Sequence, residues 1–391
     1  MSDVAVEYLE LGLRLGRHVD GLVDSYYGPA EIKERIDAEE LRDPGSLADD
    51  AARLCDSLDG LEDDRRKWLK AQLVGLETAA RKLGGAEISF EEEVELYYGV
   101  PPHRTPEPKF EAAHRAMDDL LPGDGSLEER YRVWREEDAV PADRLADVVS
   151  RLNAAFRERT AGLVGLPEGE SVEYAYVSDK PWTAFNYYRG GLQSRIEVNT
   201  DAPSVPDAVV EWIAHETYPG HHTDHAWKEQ LLTRTGRLEE TIVLVPTPQS
   251  LMSEGIATVA AEVALGDERP ELTASAVEGA GVGYDPDLSR ALLEAYKPFA
   301  GVATNAALLL HVDGATVDEA REYVMRWALA SEKRARHVVD FISDPMWRSY
   351  VTTYPNGYRL CGDFVAGDAG RFRRLLTEQL TPADLFGEAE K

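Results

Sequence analysis

His215-Glu216-Thr217-Tyr218-Pro219-Gly220-His221-His222-Thr223-Asp224-His225 holds four of the nine histidines of a 391-residue chain. A helix leads into it. Ser204 can cap that helix, Asp207 stands three residues on, and Val205, Ala208, Val209, Trp212 and Ile213 form an apolar stripe. His215 thus lies on a well-anchored helix. Pro219 then removes the amide that would bond to the carbonyl of His215, Gly220 adds freedom, and Tyr218 is pushed out of the α region, so the helix must kink or bulge. In an HExxH helix two histidines one turn apart bind zinc while the intervening Glu polarises the attacking water, but here the place of the second histidine is taken by Pro219. On an undistorted helix His221 would stand about 9 Å and His222 about 10.5 Å along the axis from His215. That is too far for two bonds of about 2 Å to one zinc, so distortion is a condition of metal binding. His221 is the nearer second ligand, with His222 as the alternative.

A catalytic zinc that keeps an open position needs a third protein ligand, and Glu254 in Ser250-Leu251-Met252-Ser253-Glu254-Gly255-Ile256-Ala257 is the best placed. Pro248 and Ser250 start a helix there, with Met252, Ile256, Val259 and Val263 on its core face. Ala257, Thr258 and Ala261 are small on the Glu254 side and leave room for a neighbouring helix.

Outward from this centre, residues 1–166 read as helical throughout, with Val4, Leu9, Leu11 and Leu13, then Leu69, Leu73, Leu76 and Leu83, recurring among charged residues. This stretch is expected to be a scaffold or lid, and 167–391 the catalytic region, in one continuous bilobed unit. Around 171–200 Val172, Tyr174, Tyr176, Phe185, Tyr187, Ile196 and Val198 alternate with polar residues, and Arg189-Gly190-Gly191 fits a turn, so a small antiparallel sheet is expected beside the metal-binding helix. The expected fold class is mainly α with that one small sheet.

The motifs His215-Glu216 to His222, Ser253-Glu254-Gly255, and Tyr354-Pro355-Asn356-Gly357-Tyr358-Arg359 resemble a bacterial family with an HExxPGHH signature. That family is itself similar to the Glu-zincin metallopeptidases, among them thermolysin-like enzymes, the thimet-oligopeptidase group and Taq-type carboxypeptidases. The resemblance covers about residues 170–365. It implies an α-rich, zincin-like architecture, one Zn2+ per chain bound by His, His and Glu, and hydrolysis of short peptides. The chain departs from proven peptidases in lacking the HExxH spacing.

Glu216 is assigned as the general base. Tyr358 and Arg359 are candidates for the oxyanion and for substrate, presented from a Pro-Asn-Gly turn. Tyr187, Tyr188 and Asn199 are candidate substrate contacts on the sheet, where an extended peptide could add as a strand. His225, Asp224 and Glu262 are candidates to orient the ligands. The same chemistry would hydrolyse a non-peptide amide or ester, and a closed site with both His221 and His222 bound would be non-catalytic.

The 72 acidic against 42 basic residues give a net charge of −30, which repels phosphate backbones and anionic membranes, so neither nucleic acid nor membrane is an expected partner. Only Cys55 and Cys361 occur, and the first ten residues lack a secretory pattern, so a cytoplasmic location is expected. No Gly-x-Ser-x-Gly elbow or phosphate loop supports another chemistry.

Overall fold

A computed structural model describes residues 4–180, 182–201 and 204–389, and helices dominate it. The N-terminal helices follow simple amphipathic logic. Asp63–Leu83 begins with Asp63 and Asp64, ends with Arg81 and Lys82, and buries Trp68, Leu69, Leu73 and Leu76, so both its dipole and its apolar stripe are satisfied. It packs with Val4–Gly16 and Pro44–Asp56 around Tyr8, Leu9, Leu47 and Leu54.

The expectation of helix throughout 1–166 fails at β1 (Val23–Tyr26), which pairs antiparallel with β5 (Ile242–Leu244). Four residues are too few for a periodicity signal, and the partner strand lies far away in sequence. The pairing is irregular between Val23 and Ser25, where Asp24 is the extra residue of a bulge. A second core joins Ala79, Phe90, Tyr97 and Phe110 to Met252, Ile256 and Phe364, so apolar residues from both sides of residue 166 are buried together.

The small sheet stands beside the helix Pro206–Glu216, with strand order β2 (Ser171–Val177), β4 (Gln193–Asn199), β3 (Ala184–Tyr188). β3 and β4 form an antiparallel hairpin with Phe185 opposite Glu197 and Tyr187 opposite Arg195, whereas β2 joins the far side of β4 in parallel. The turn falls at Arg189–Gly191, and Gly190 and Gly191 take φ of 75° and 65° there, conformations that suit glycine. Ile196 and Val198 pack on Val209, Val210 and Ile213, which fixes the helix against the sheet. The cap differs from expectation: Val205 is the N-cap without a side-chain bond, and Pro206 fills the first turn, where its missing N–H costs nothing.

The helix Pro248–Leu265 lies between two partners. Ala260 and Ala261 face Val209, Val210 and Ala214 of Pro206–Glu216. Its other side crosses the helix Thr353–Val365 at Gly255 and Gly357, where a Cβ on Gly357 would lie 2.7 Å from Gly255 Cα and 2.9 Å from Leu251 O. Only glycine lets these backbones meet so closely.

Candidate metal centre

The helix carrying His215 stops at Glu216, and a second helix, His221–Leu231, begins after four intervening residues. Pro219, in a cis peptide with Tyr218, interrupts the ladder. Across the break Gly220 N donates to Ala214 O at 3.0 Å, Thr223 N to Thr217 O at 3.2 Å, and Asp224 N to Gly220 O at 3.0 Å, so the orphaned backbone groups are reused. A Cβ on Gly220 would fall on His215 O and Ala214 O, and the fold therefore requires glycine at that place.

This break shortens the distance that a straight helix would impose. His215 Nε2 and His221 Nε2 lie 3.1 Å apart, with their rings near perpendicular at 87°. Two nitrogens bound tetrahedrally to one zinc at about 2.0–2.1 Å would be roughly 3.3 Å apart. Glu254 Oε2 stands 3.4 Å from His215 Nε2, and Glu254 Oε1 3.9 Å from His221 Nε2. Ligand atoms of His215, His221 and Glu254 all fall within 4.8 Å of one another. Glu254 Oε2 is buried without a hydrogen-bond partner, as a carboxylate oxygen kept for a metal would be. The donor set, two imidazoles and one carboxylate, is one that zinc accepts while leaving a coordination position open.

Neighbours hold these groups in place. His221 Nδ1 lies 3.1 Å from Ser253 Oγ, a contact that leaves Nε2 free for a metal, and Tyr350 donates its hydroxyl to Glu254 Oε1 at 2.6 Å. Burial would lower the pKa of His215, but the carboxylates of Glu254 and Glu216 outweigh it and raise it. Burial would raise Glu254, and the contacts with His215 and Tyr350 pull it down instead. His221 is lowered to about 4 by burial and by the charge of His215. A ligand imidazole must be neutral, so a metal bound here would displace any proton from the His215 face towards Glu254. Glu216 is raised to about 7, chiefly by burial and then by Glu254 and Asp24, against the lowering pull of His215.

A cavity of about 930 Å³ opens over the triad, lined by Glu216, Asp24, Phe185, Asn186, Tyr350 and Tyr354 among others. It is walled by the bulged β1, by β3, which is an edge strand, and by the segment around Tyr350.

Several sequence expectations end elsewhere. His222 is fully buried, with Nδ1 2.8 Å from Ser194 Oγ and Nε2 2.9 Å from Glu170 Oε2, so both its nitrogens are taken and it stands outside the triad. Asp224 is ion-paired with Lys228 at 2.7 Å rather than with a ligand histidine. Residues 354–359 form no turn; they lie in the helix Thr353–Val365, because a proline in a first helical turn loses no hydrogen bond. That helix directs Tyr358 away from the triad, where it donates to Glu262 Oε2 at 2.9 Å, and Arg359 lines a separate pocket with it. Tyr354 and Tyr350, four and eight residues earlier, are the phenols that line the cavity. Tyr188 is buried and donates to Glu229 at 2.7 Å, while Asn199 is buried and holds Lys180 O at 2.9 Å, so both support the sheet. Tyr187 is exposed and packs on Phe185, with ring centroids 4.8 Å apart. His225 lines the cavity, and its ring lies 5.0 Å from that of Tyr188. Ser253 and Tyr354 stand within the motifs quoted above but carry no role of their own there, and Tyr350 and Asp24 have no local signal in the sequence.

The backbone is similar to that of a candidate lipoprotein from Colwellia psychrerythraea, with a TM-score of 0.56 at 16% identity over 88% of this chain and 65% of that one. The chain thus spans less than two thirds of that protein's length. Weaker likenesses are to a candidate lipoprotein of unknown function from Shewanella oneidensis (TM-score 0.49, 14% identity, 96% and 77% covered) and to Pyrococcus furiosus carboxypeptidase (0.48, 13%, 99% and 94%). At such identities the likeness concerns fold alone. No protein-family model and no curated protein matches the chain. Among the described residues no helix is long and apolar enough to cross a membrane.

Proposed function

We propose that this chain is a zinc-dependent hydrolase of the peptidase type that cleaves short peptides. The observation that carries the reading is the pair of imidazole nitrogens 3.1 Å apart with the buried, unpartnered Oε2 of Glu254 3.4 Å from one of them. His215, His221 and Glu254 hold the metal, which when bound polarises a carbonyl and makes water more acidic.

The chain's own residues do the rest. Ser253 and Tyr350 orient two of the ligands. Glu216 faces the same cavity, takes the proton of the attacking water and returns it to the leaving amine. The phenol of Tyr354, also on the cavity wall, donates to the oxyanion in the role first sought at Tyr358. The edge strand β3 favours a peptide over another acyl substrate, since Ala184, Phe185 and Asn186 line the cavity and an extended backbone can pair beside them. Two free cysteines, Cys55 and Cys361, fit a reducing cytoplasm.

The test is elemental mass spectrometry together with turnover of a panel of di- to pentapeptides. The wild type is expected to carry one zinc per chain and to cleave members of the panel. Glu216→Gln should keep the zinc and lose about 10²–10⁴ in turnover. A chain that takes up no zinc, or a Glu216→Gln variant as active as wild type, would overturn the reading.

A further inference from the structure

The cavity over the triad contains a carboxylate that neither metal binding nor proton transfer uses. Asp24 is the extra residue of the β1 bulge, a device that re-aims a side chain, and it lines the same cavity as Glu216 and Glu254. It is exposed to that cavity and, among the described residues, makes no side-chain hydrogen bond and no ion pair. The other carboxylates of the cavity have their tasks: Glu254 faces the two histidines, and Glu216 follows His215. Enclosure by the cavity walls, and after it the charge of Glu254, raise the Asp24 carboxyl to about 6.

Resting on the peptidase reading above, we propose that Asp24 binds the free α-ammonium of the substrate, so that the site selects short peptides with an unblocked amino terminus and cleaves close to it. Two bonds separate an α-nitrogen from its own carbonyl carbon, so a cation bound beside the centre places that carbonyl, or the next one, at the metal. A lysine side chain carries its charge several bonds further and would fit a carboxylate at the cavity rim. The bulge supplies the geometry: a regular strand would alternate Asp24 with its neighbours across the ladder.

The experiment is isothermal calorimetry with the full chain, zinc-loaded and zinc-free, using phenylalanyl-alanine, its N-acetylated form, and N-acetyl-lysyl-alanine as probes. Wild type is expected to bind the free dipeptide about 10- to 100-fold more tightly than the acetylated one, the range of a hydrogen bond to a charged group. Asp24→Asn should collapse that ratio towards one, while Asp24→Glu keeps its sign. Thermal unfolding and zinc content of both variants separate this from misfolding. Equal affinity for free and acetylated dipeptide, no binding of either, a preference that survives Asp24→Asn, or tightest binding of the lysyl probe would each overturn the assignment. A preference that depends on Asp24 without hydrolysis of any peptide would leave Asp24 in place and remove the peptidase reading.

Discussion

At the scale of single residues, the chemistry turns on which nitrogen and which oxygen remain free. His221 and His222 are adjacent and chemically identical, yet Ser253 leaves the first with a free Nε2, whereas Ser194 and Glu170 take both nitrogens of the second. His221→Ala and Glu254→Ala are therefore expected to lose zinc. His222→Asn should retain it and instead lower stability by about 1–3 kcal/mol, because it leaves the buried Glu170 carboxylate short of a donor. Zinc stoichiometry and denaturant unfolding check the contrast, and loss of zinc from His222→Asn would reassign the ligand. His215, Glu216 and Glu254 were legible in sequence from their spacing and from the metal's need for a third ligand. Ser253 and Tyr350 were not, since hydroxyls that orient a ligand carry no spacing of their own.

At the scale of elements, two close backbone approaches build the site. Gly220 lets the helix break fold back onto His215 O, and Gly357 lets Thr353–Val365 lie against Gly255 so that the preceding Tyr350 reaches Glu254. Gly220→Ala should cost roughly 1–3 kcal/mol by overpacking and weaken zinc binding, because the clash sits between the two histidine-bearing helices. Gly357→Ala should cost a similar amount, and competitive chelator titration should show weaker zinc as Tyr350 withdraws from Glu254. Full stability in either variant would show that the backbones can part without loss. The sequence called for a kink or bulge at Pro219, and the structure goes further, ending one helix at Glu216 and starting another at His221. The same reasoning expected a turn at Pro355-Asn356-Gly357, where the chain is helical. The difference is position: Pro219 follows a helix end, while Pro355 stands in a first turn whose amides have no partners to lose.

At the scale of the whole molecule, buried charges link stability to pH. Glu240 is buried, and burial first, then Glu239 and Asp224, raise it from 4.5 to about 7 against the pull of Lys228 and of Gln379, which donates at 2.7 Å. Between pH 4.5 and 7 the unfolded chain has released this proton and the folded chain has not. Folding therefore loses stability as pH rises through that window, and the loss is complete above it. Glu240→Gln should equal wild type near pH 4 and exceed it by on the order of 1–3 kcal/mol at pH 8, measured by urea unfolding at both values. A gain of the same size at pH 4 would show that charge is not the cause.

Taken by itself, the sequence determined the mainly helical class, the small sheet, the helix that carries His215 and the need for a distortion before His221, because these follow from periodicity and from what proline and glycine permit locally. The tertiary structure decided which histidine faces Glu254, which tyrosines line the cavity, and that a bulge in a four-residue strand brings Asp24 to it. Those outcomes depend on the crossing of Gly255 with Gly357 and on the pairing of β1 with β5, contacts between residues far apart in the chain that no local pattern records.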